Sequence, residues 1–155
     1  MVNYQDMIKL LGEKHELFRQ YEAVTEQMLT CPIDDLESCV KKRDRLIAGI
    51  DRVDAAVGTL VSDAKSPLLY EAVRGKCDRG DLDDAVGAVY DAAAAVRSVI
   101  SRLPDVELQV DGRLMREQQC LLELIKSTNR GMEAQASRFA TGQDAGGTSL
   151  DITRA

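Results

Sequence analysis

Tryptophan is absent from this 155-residue chain and aromatic residues make up only 4% of it. The apolar interior must therefore be assembled from Leu, Val, Ile, Ala and Met, side chains that suit helix packing better than a sandwich of strands. Histidine occurs once, at His15, so the paired Glu-x-x-His motifs of a di-metal bundle cannot be built. Four cysteines (Cys31, Cys39, Cys77, Cys120) show no CxxC spacing, and no zinc or other metal site is expected. No run approaches the roughly 20 apolar residues of a membrane helix. The opening Met-Val-Asn-Tyr-Gln-Asp has neither the basic nor the apolar region of a signal peptide. The expectation is a cytosolic chain with reduced thiols and no membrane insertion. A basic surplus is missing too: the net charge is −6 and the pI about 4.9, which argues against nucleic acid as a partner. Phosphate-binding loops, dinucleotide fingerprints and nucleophile elbows are lacking. The chain is expected to hold no catalytic residue and no cofactor, and enzyme activity is not expected.

What is present is a mirrored heptad. Met7, Leu10, Lys14, Leu17, Tyr21, Val24, Met28 and Cys31 alternate in steps of three and four. After Pro32 the rhythm resumes at Leu36, Cys39, Arg43, Leu46, Ile50, Val53, Val57 and Leu60. Paired outward from the break, the two series match position for position, Leu17 with Ile50 and Leu10 with Val57. Two antiparallel helices joined by a short turn need that match. The spacing predicts a hairpin of helices over about 3–30 and 34–64, with Asn3 capping the first and Asp34 or Asp35 the second. Cys31 and Cys39 serve as small apolar seam residues. Lys14 and Arg43 cover apolar surface with their stems while their charges reach water. One flank of the seam carries Leu11, Phe18, Val40, Ile47 and Val61, interrupted by Thr25 and Asp54; the other is largely polar. A third helix should dock on the apolar flank.

Ser66-Pro67 reads as a cap followed by proline at the first position of a short helix ending near Gly75. A new heptad runs from Asp81 through Leu82, Val86, Val89, Ala93, Val96, Ile100, Leu103, Glu107, Val110, Leu114, Glu117, Leu121 and Leu124. Its phase is the same on both sides of Pro104, which favours one long helix kinked there. The alternative is a break, with Pro104 opening a separate helix. The fold class is all-α: the hairpin packed with a long C-terminal helix as an elongated bundle. Residues 1–140 are expected to form one domain and 141–155 a flexible, glycine-rich tail whose Leu150-Asp151-Ile152 can dock or fray. A hairpin helix of about 29 residues spans roughly 43 Å, against roughly 73 Å for a helix from Asp81 to Asn129. The end of the long helix must therefore overhang or fold back.

Few residues suggest chemistry. His15 could carry phosphate in a helical phosphotransfer domain, but Glu13 and Glu16 beside it would repel a phosphoryl group. Lys41, Lys42, Arg43 and Arg45 are interspersed with carboxylates and read as a solvated face rather than an anion site. Leu121, Leu122, Leu124 and Ile125 are the densest apolar cluster beyond the reach of the hairpin. They are either internal or homodimer core, or a stripe that receives an amphipathic helix from another protein.

The arrangement resembles the flagellar export chaperones of the FlgN-like family. The resemblance is carried by Asp35-Leu36-Glu37-Ser38-Cys39-Val40-Lys41-Lys42-Arg43-Asp44-Arg45-Leu46-Ile47 at the start of the second helix and by Val110-Asp111-Gly112-Arg113-Leu114-Met115, where Asp111 stands in place of the family's Asn. Arg138-Phe139 and Leu150-Asp151-Ile152 are loosely similar to the family's aromatic and acidic ends, without a clear Tyr-Asp-x-x-Gly. The resemblance implies a chaperone that shields the helical termini of hook–filament junction subunits and delivers them to the export apparatus. It places the partner surface on the C-terminal helix, over Leu114 to Met132; together with the overhang this makes Leu114, Leu121, Leu124, Ile125, Met132 and, at the edge, Phe139 the partner-binding candidates. A self-associating coiled-coil scaffold is the alternative, with the same surface joining copies into a homo-oligomer.

Overall fold

A computed structural model describes residues 2–141, with side chains as far as Arg138. The expected tail and its terminal Leu150-Asp151-Ile152 lie outside the described residues. Within them every regular element is a helix: α1 (Tyr4–Gln27), α2 (Leu36–Ala64), α3 (Pro67–Arg74) and α4 (Asp84–Thr141), with 3₁₀ turns at Ile33–Asp35 and Arg79–Asp81. The chain divides into two compact units, Met1–Val110 and Asp111–Ala155.

Helix ends follow from local chemistry. Asn3 Oδ1 accepts from the Asp6 N–H at 3.1 Å, and the Asn3 amide donates back to the Asp6 carboxylate. α1 stops at Gln27, short of the expected Thr30, because Pro32 turns the preceding residues out of the helical register. The second helix likewise begins two residues late. Ile33–Asp35 form a 3₁₀ turn, and Asp35 stands at the cap position without a side-chain capping bond. Ser66 caps α3 as expected, its Oγ accepting from Leu69 N at 3.2 Å, and Pro67 opens the helix. Gly75 ends it at φ +68°, a conformation that disfavours a side chain, and a Cβ there would stand 2.5 Å from Arg97 Cζ. Asp83 caps α4 by accepting from Val86 N at 2.8 Å.

The hairpin register agrees with the mirrored seam. Every seam residue from Met7 to Leu60 is buried or half-buried. Leu17 methyls lie 3.5 and 3.6 Å from the Cβ position of Gly49, the neighbour of Ile50. Lys14 reaches Asp54 at 2.5 Å, and near the turn Arg43 Nη1 contacts Met28 Sδ at 3.3 Å. Gly49 is thus a buried packing position. Gly12 and Gly58 are different: a Cβ at either meets nothing within 4 Å. Replacing each with alanine should stabilise the hairpin by about 0.5–1 kcal/mol, since the helix gains propensity and loses no contact. Equilibrium urea unfolding measures this, and a lower midpoint in either variant would contradict it.

α4 covers the apolar flank mainly on its α1 side: Leu11 and Thr25 are buried there, whereas Val40 and Ile47 of α2, expected under the third helix, stay 43% and 42% exposed. Met7 and Leu11 of α1, Val53 and Val57 of α2, Leu69 and Ala72 of α3, and Val86, Val89 and Ala93 of α4 form the principal core. A smaller cluster joins Met28, Cys31 and Cys39 to Val110. The order of these contacts makes α4 parallel to α1 and antiparallel to α2. The bidentate pair between Arg102 and Glu22, both arms at 3.0 Å, fits this alignment. Thr25, the polar residue of the α1 flank, is fully buried, and its hydroxyl donates to Tyr21 O at 2.7 Å.

α4 passes through Pro104 as one helix, which decides between the two alternatives for that residue. Both Pro104 and Ile100, whose carbonyl loses its intrahelical donor, face outward. Water can satisfy that carbonyl, so the proline leaves no buried group unpaired. As far as Val110 the buried stripe departs from the strict heptad at one point: Val99 is buried, whereas Ile100 is exposed. Ile100 lines an open groove of about 330 Å³ with Val57, Val61 and Val73. The eight-residue α3 is too short to cover it.

Candidate docking face

The side chains named from the sequence lie on the α4 part of the second unit. Leu114, Leu121, Leu124, Ile125 and Met132 are all exposed, from 39% at Leu114 to 63% at Leu124. Phe139 falls on α4, but its side chain lies outside the described residues. At about 100° per residue, Leu114, Leu121, Ile125 and Met132 share one helix face, and Leu124 sits at its edge. Leu122 and Met115 belong to the opposite edge, 45% and 70% exposed. Both were legible as a seven-residue repeat running beside the main one.

The back of this helix is polar and satisfies itself. Behind the face Gln119 donates to Glu123 at 3.3 Å, and along the Leu124 edge Arg113 pairs with Glu117 at 3.7 Å. These i,i+4 contacts support the helix by a few tenths of a kcal/mol each. Two polar residues, Gln118 and Thr128, interrupt the apolar face, and the Thr128 hydroxyl donates to Leu124 O at 2.9 Å. An amphipathic surface of this kind can do one thing chemically: bury itself against another apolar helix.

No family model, no curated protein and no solved structure matches this chain.

The other candidate residues have structural surroundings. His15 is half-buried on α1 and makes no hydrogen bond or ion pair among the described residues. The basic cluster is split: Lys41 pairs with Glu37 at 3.2 Å on the surface, Lys42 and Arg45 are exposed, and Arg43 turns inward. The expectation that the Arg43 charge reaches water is therefore wrong. Its Nη2 donates to Glu107 Oε1 at 2.7 Å and to the Tyr21 hydroxyl, and its guanidinium stacks on the Tyr21 ring, 4.7 Å from the centroid. Tyr21 OH donates to the same Glu107 oxygen at 2.7 Å. The reason is geometric: Tyr21, Arg43 and Glu107 each occupy a seam position on a different helix, and α4 brings the carboxylate to the arginine. Lys14 is held similarly by Asp54, with 19% of its side chain exposed.

Burial raises the Tyr21 phenol above its ordinary value, and the hydrogen bond to Glu107 raises it further. At the closed end of the hairpin, burial raises the Cys39 thiol, with the neighbouring Cys31 adding to the effect. Among the described residues, no group of three or more His, Cys, Asp or Glu could hold a metal ion. No helix of the described residues is long and apolar enough to cross a membrane.

Proposed function

We propose that this chain is a helix-binding protein of the cytosol that presents the Leu114–Met132 face of α4 to an amphipathic helix of another protein. The single observation behind this reading is the exposed stripe itself. Six large apolar side chains, Leu114, Leu121, Leu122, Leu124, Ile125 and Met132, crowd about five turns of a helix whose other side is mostly polar. Exposed apolar surface of that extent marks an interaction site. In its finer form the reading is an export chaperone: the face shields the helical terminus of a secreted hook–filament junction subunit and releases it to the export apparatus. That form rests on the resemblance of the Asp35–Ile47 and Val110–Met115 segments. No catalytic step, cofactor or metal is assigned to it.

The experiment is co-elution of the purified full chain with a purified hook–filament junction subunit. A complex is expected, and Leu121→Asp or Ile125→Asp should abolish it while far-ultraviolet circular dichroism and the melting of the first unit stay unchanged. A charge placed on an exposed face costs the fold little but cannot be buried in an apolar contact. Absence of a complex with such subunits defeats the export reading. Complex formation that survives both substitutions defeats the assignment of the face.

A further inference from the structure

The exposed stripe is complementary to its own reverse. Its central positions, Leu114, Gln118, Leu121, Ile125, Thr128 and Met132, are spaced alternately by four and three residues. Turned end for end about Glu123, Leu121 falls opposite Ile125, Gln118 opposite Thr128 and Leu114 opposite Met132. Apolar residues meet apolar ones in the Leu114–Met132 and Leu121–Ile125 layers, and the two polar positions meet each other. Leu122 and Leu124, one on each side of Glu123, fall opposite themselves. A twofold contact has this property: where residue i touches j, j also touches i. The Thr128 hydroxyl is already donated to Leu124 O at 2.9 Å, so this layer leaves no hydroxyl without a partner.

Other alignments lack this match. A shift of one heptad sets Ile125 against Thr128, or Leu121 against Gln118. Parallel pairing brings the edge leucines against polar residues, Leu122 against Glu117 and Leu124 against Asn129, because flanking positions then meet five residues apart. A polar layer within an apolar seam selects register by making such shifts costly.

We infer that the occupant of this face, in the protein on its own, is the same face of a second copy, antiparallel and centred on Glu123. This rests on the docking face proposed above and states what covers it before a partner arrives. A partner helix then binds by displacing the second copy, and the dimer and the complex exclude each other.

The test uses the full chain with Cys77→Ser and Cys120→Ser, which removes the accessible thiols and keeps the two buried ones. Sedimentation should give a dimer, and Ile125→Asp should weaken self-association at least tenfold without loss of helicity. With a short thiol-specific cross-linker, Leu124→Cys should cross-link to itself. Leu114→Cys and Met132→Cys should cross-link when the two chains are mixed and neither alone. A monomer at 100 µM, or self-cross-linking of Leu114→Cys, overturns the inference. A monomer that still binds a junction subunit through Leu121 refutes the self-pairing and leaves the docking face standing. A dimer with the cross-linking pattern above that no subunit dissociates supports the pairing and refutes the docking reading.

Discussion

Leu69→Ala should destabilise the first unit by about 2–5 kcal/mol, the range for removing a fully buried leucine from a packed core. Leu69 is 0% exposed and packs with Met7, Leu11, Val57 and Val89 in the principal core. The consequence extends beyond the cavity. α3 has only eight residues, and helices shorter than about 12–15 residues are marginal in water on their own. Its Ser66 cap and Pro67 start shape it, but Leu69 and Ala72 keep it folded by anchoring it against α2 and α4. The variant should lower the urea midpoint with little change in slope and increase hydrogen exchange at the α3 amides. A loss below roughly half a kcal/mol would mean that α3 is not an integral part of the core.

Arg43→Ala should cost about 2–3 kcal/mol, somewhat less than the roughly 3–5 kcal/mol of breaking a fully buried pair. Arg43 keeps 17% of its side chain exposed and Glu107 30%, so water relieves part of the charge left behind. Replacing the pair together, Arg43→Met with Glu107→Leu, should recover most of the loss, because neither charge then lies unpaired in the seam. Tyr21 adds a dependence on pH. Its phenol is raised above 10.0 in the fold, so the protonated form is the one the folded state favours. That contribution is complete below pH 10 and disappears as the pH rises through the raised value. Tyr21→Phe should remove this part of the alkaline loss of stability, measured as the urea midpoint between pH 9 and 11. An unchanged alkaline slope would place Tyr21 outside the network.

The sequence by itself determined the helical class, the hairpin and its register. Heptad positions from Met7 to Leu60 can be buried only if the helices pack antiparallel about the Pro32 turn, and the caps at Asn3 and Ser66 act within three residues along the chain. It also located the apolar residues of the α4 stripe, since their spacing is a property of one helix. It misjudged features that depend on neighbours distant in sequence. Arg43 reads as a charge directed to water because Glu107, 64 residues later, becomes its partner only when α4 docks. Ile100 reads as core because the heptad cannot register that α3 stops at Arg74 and leaves that side of α4 uncovered. Pro104 allows a kink or a break in the sequence. Continuity of the helix was decided in three dimensions, where Pro104 and Ile100, the residue whose carbonyl it frees, are both exposed. Spacing along one chain fixes which side chains share a face; which face is covered depends on the length and placement of the other helices.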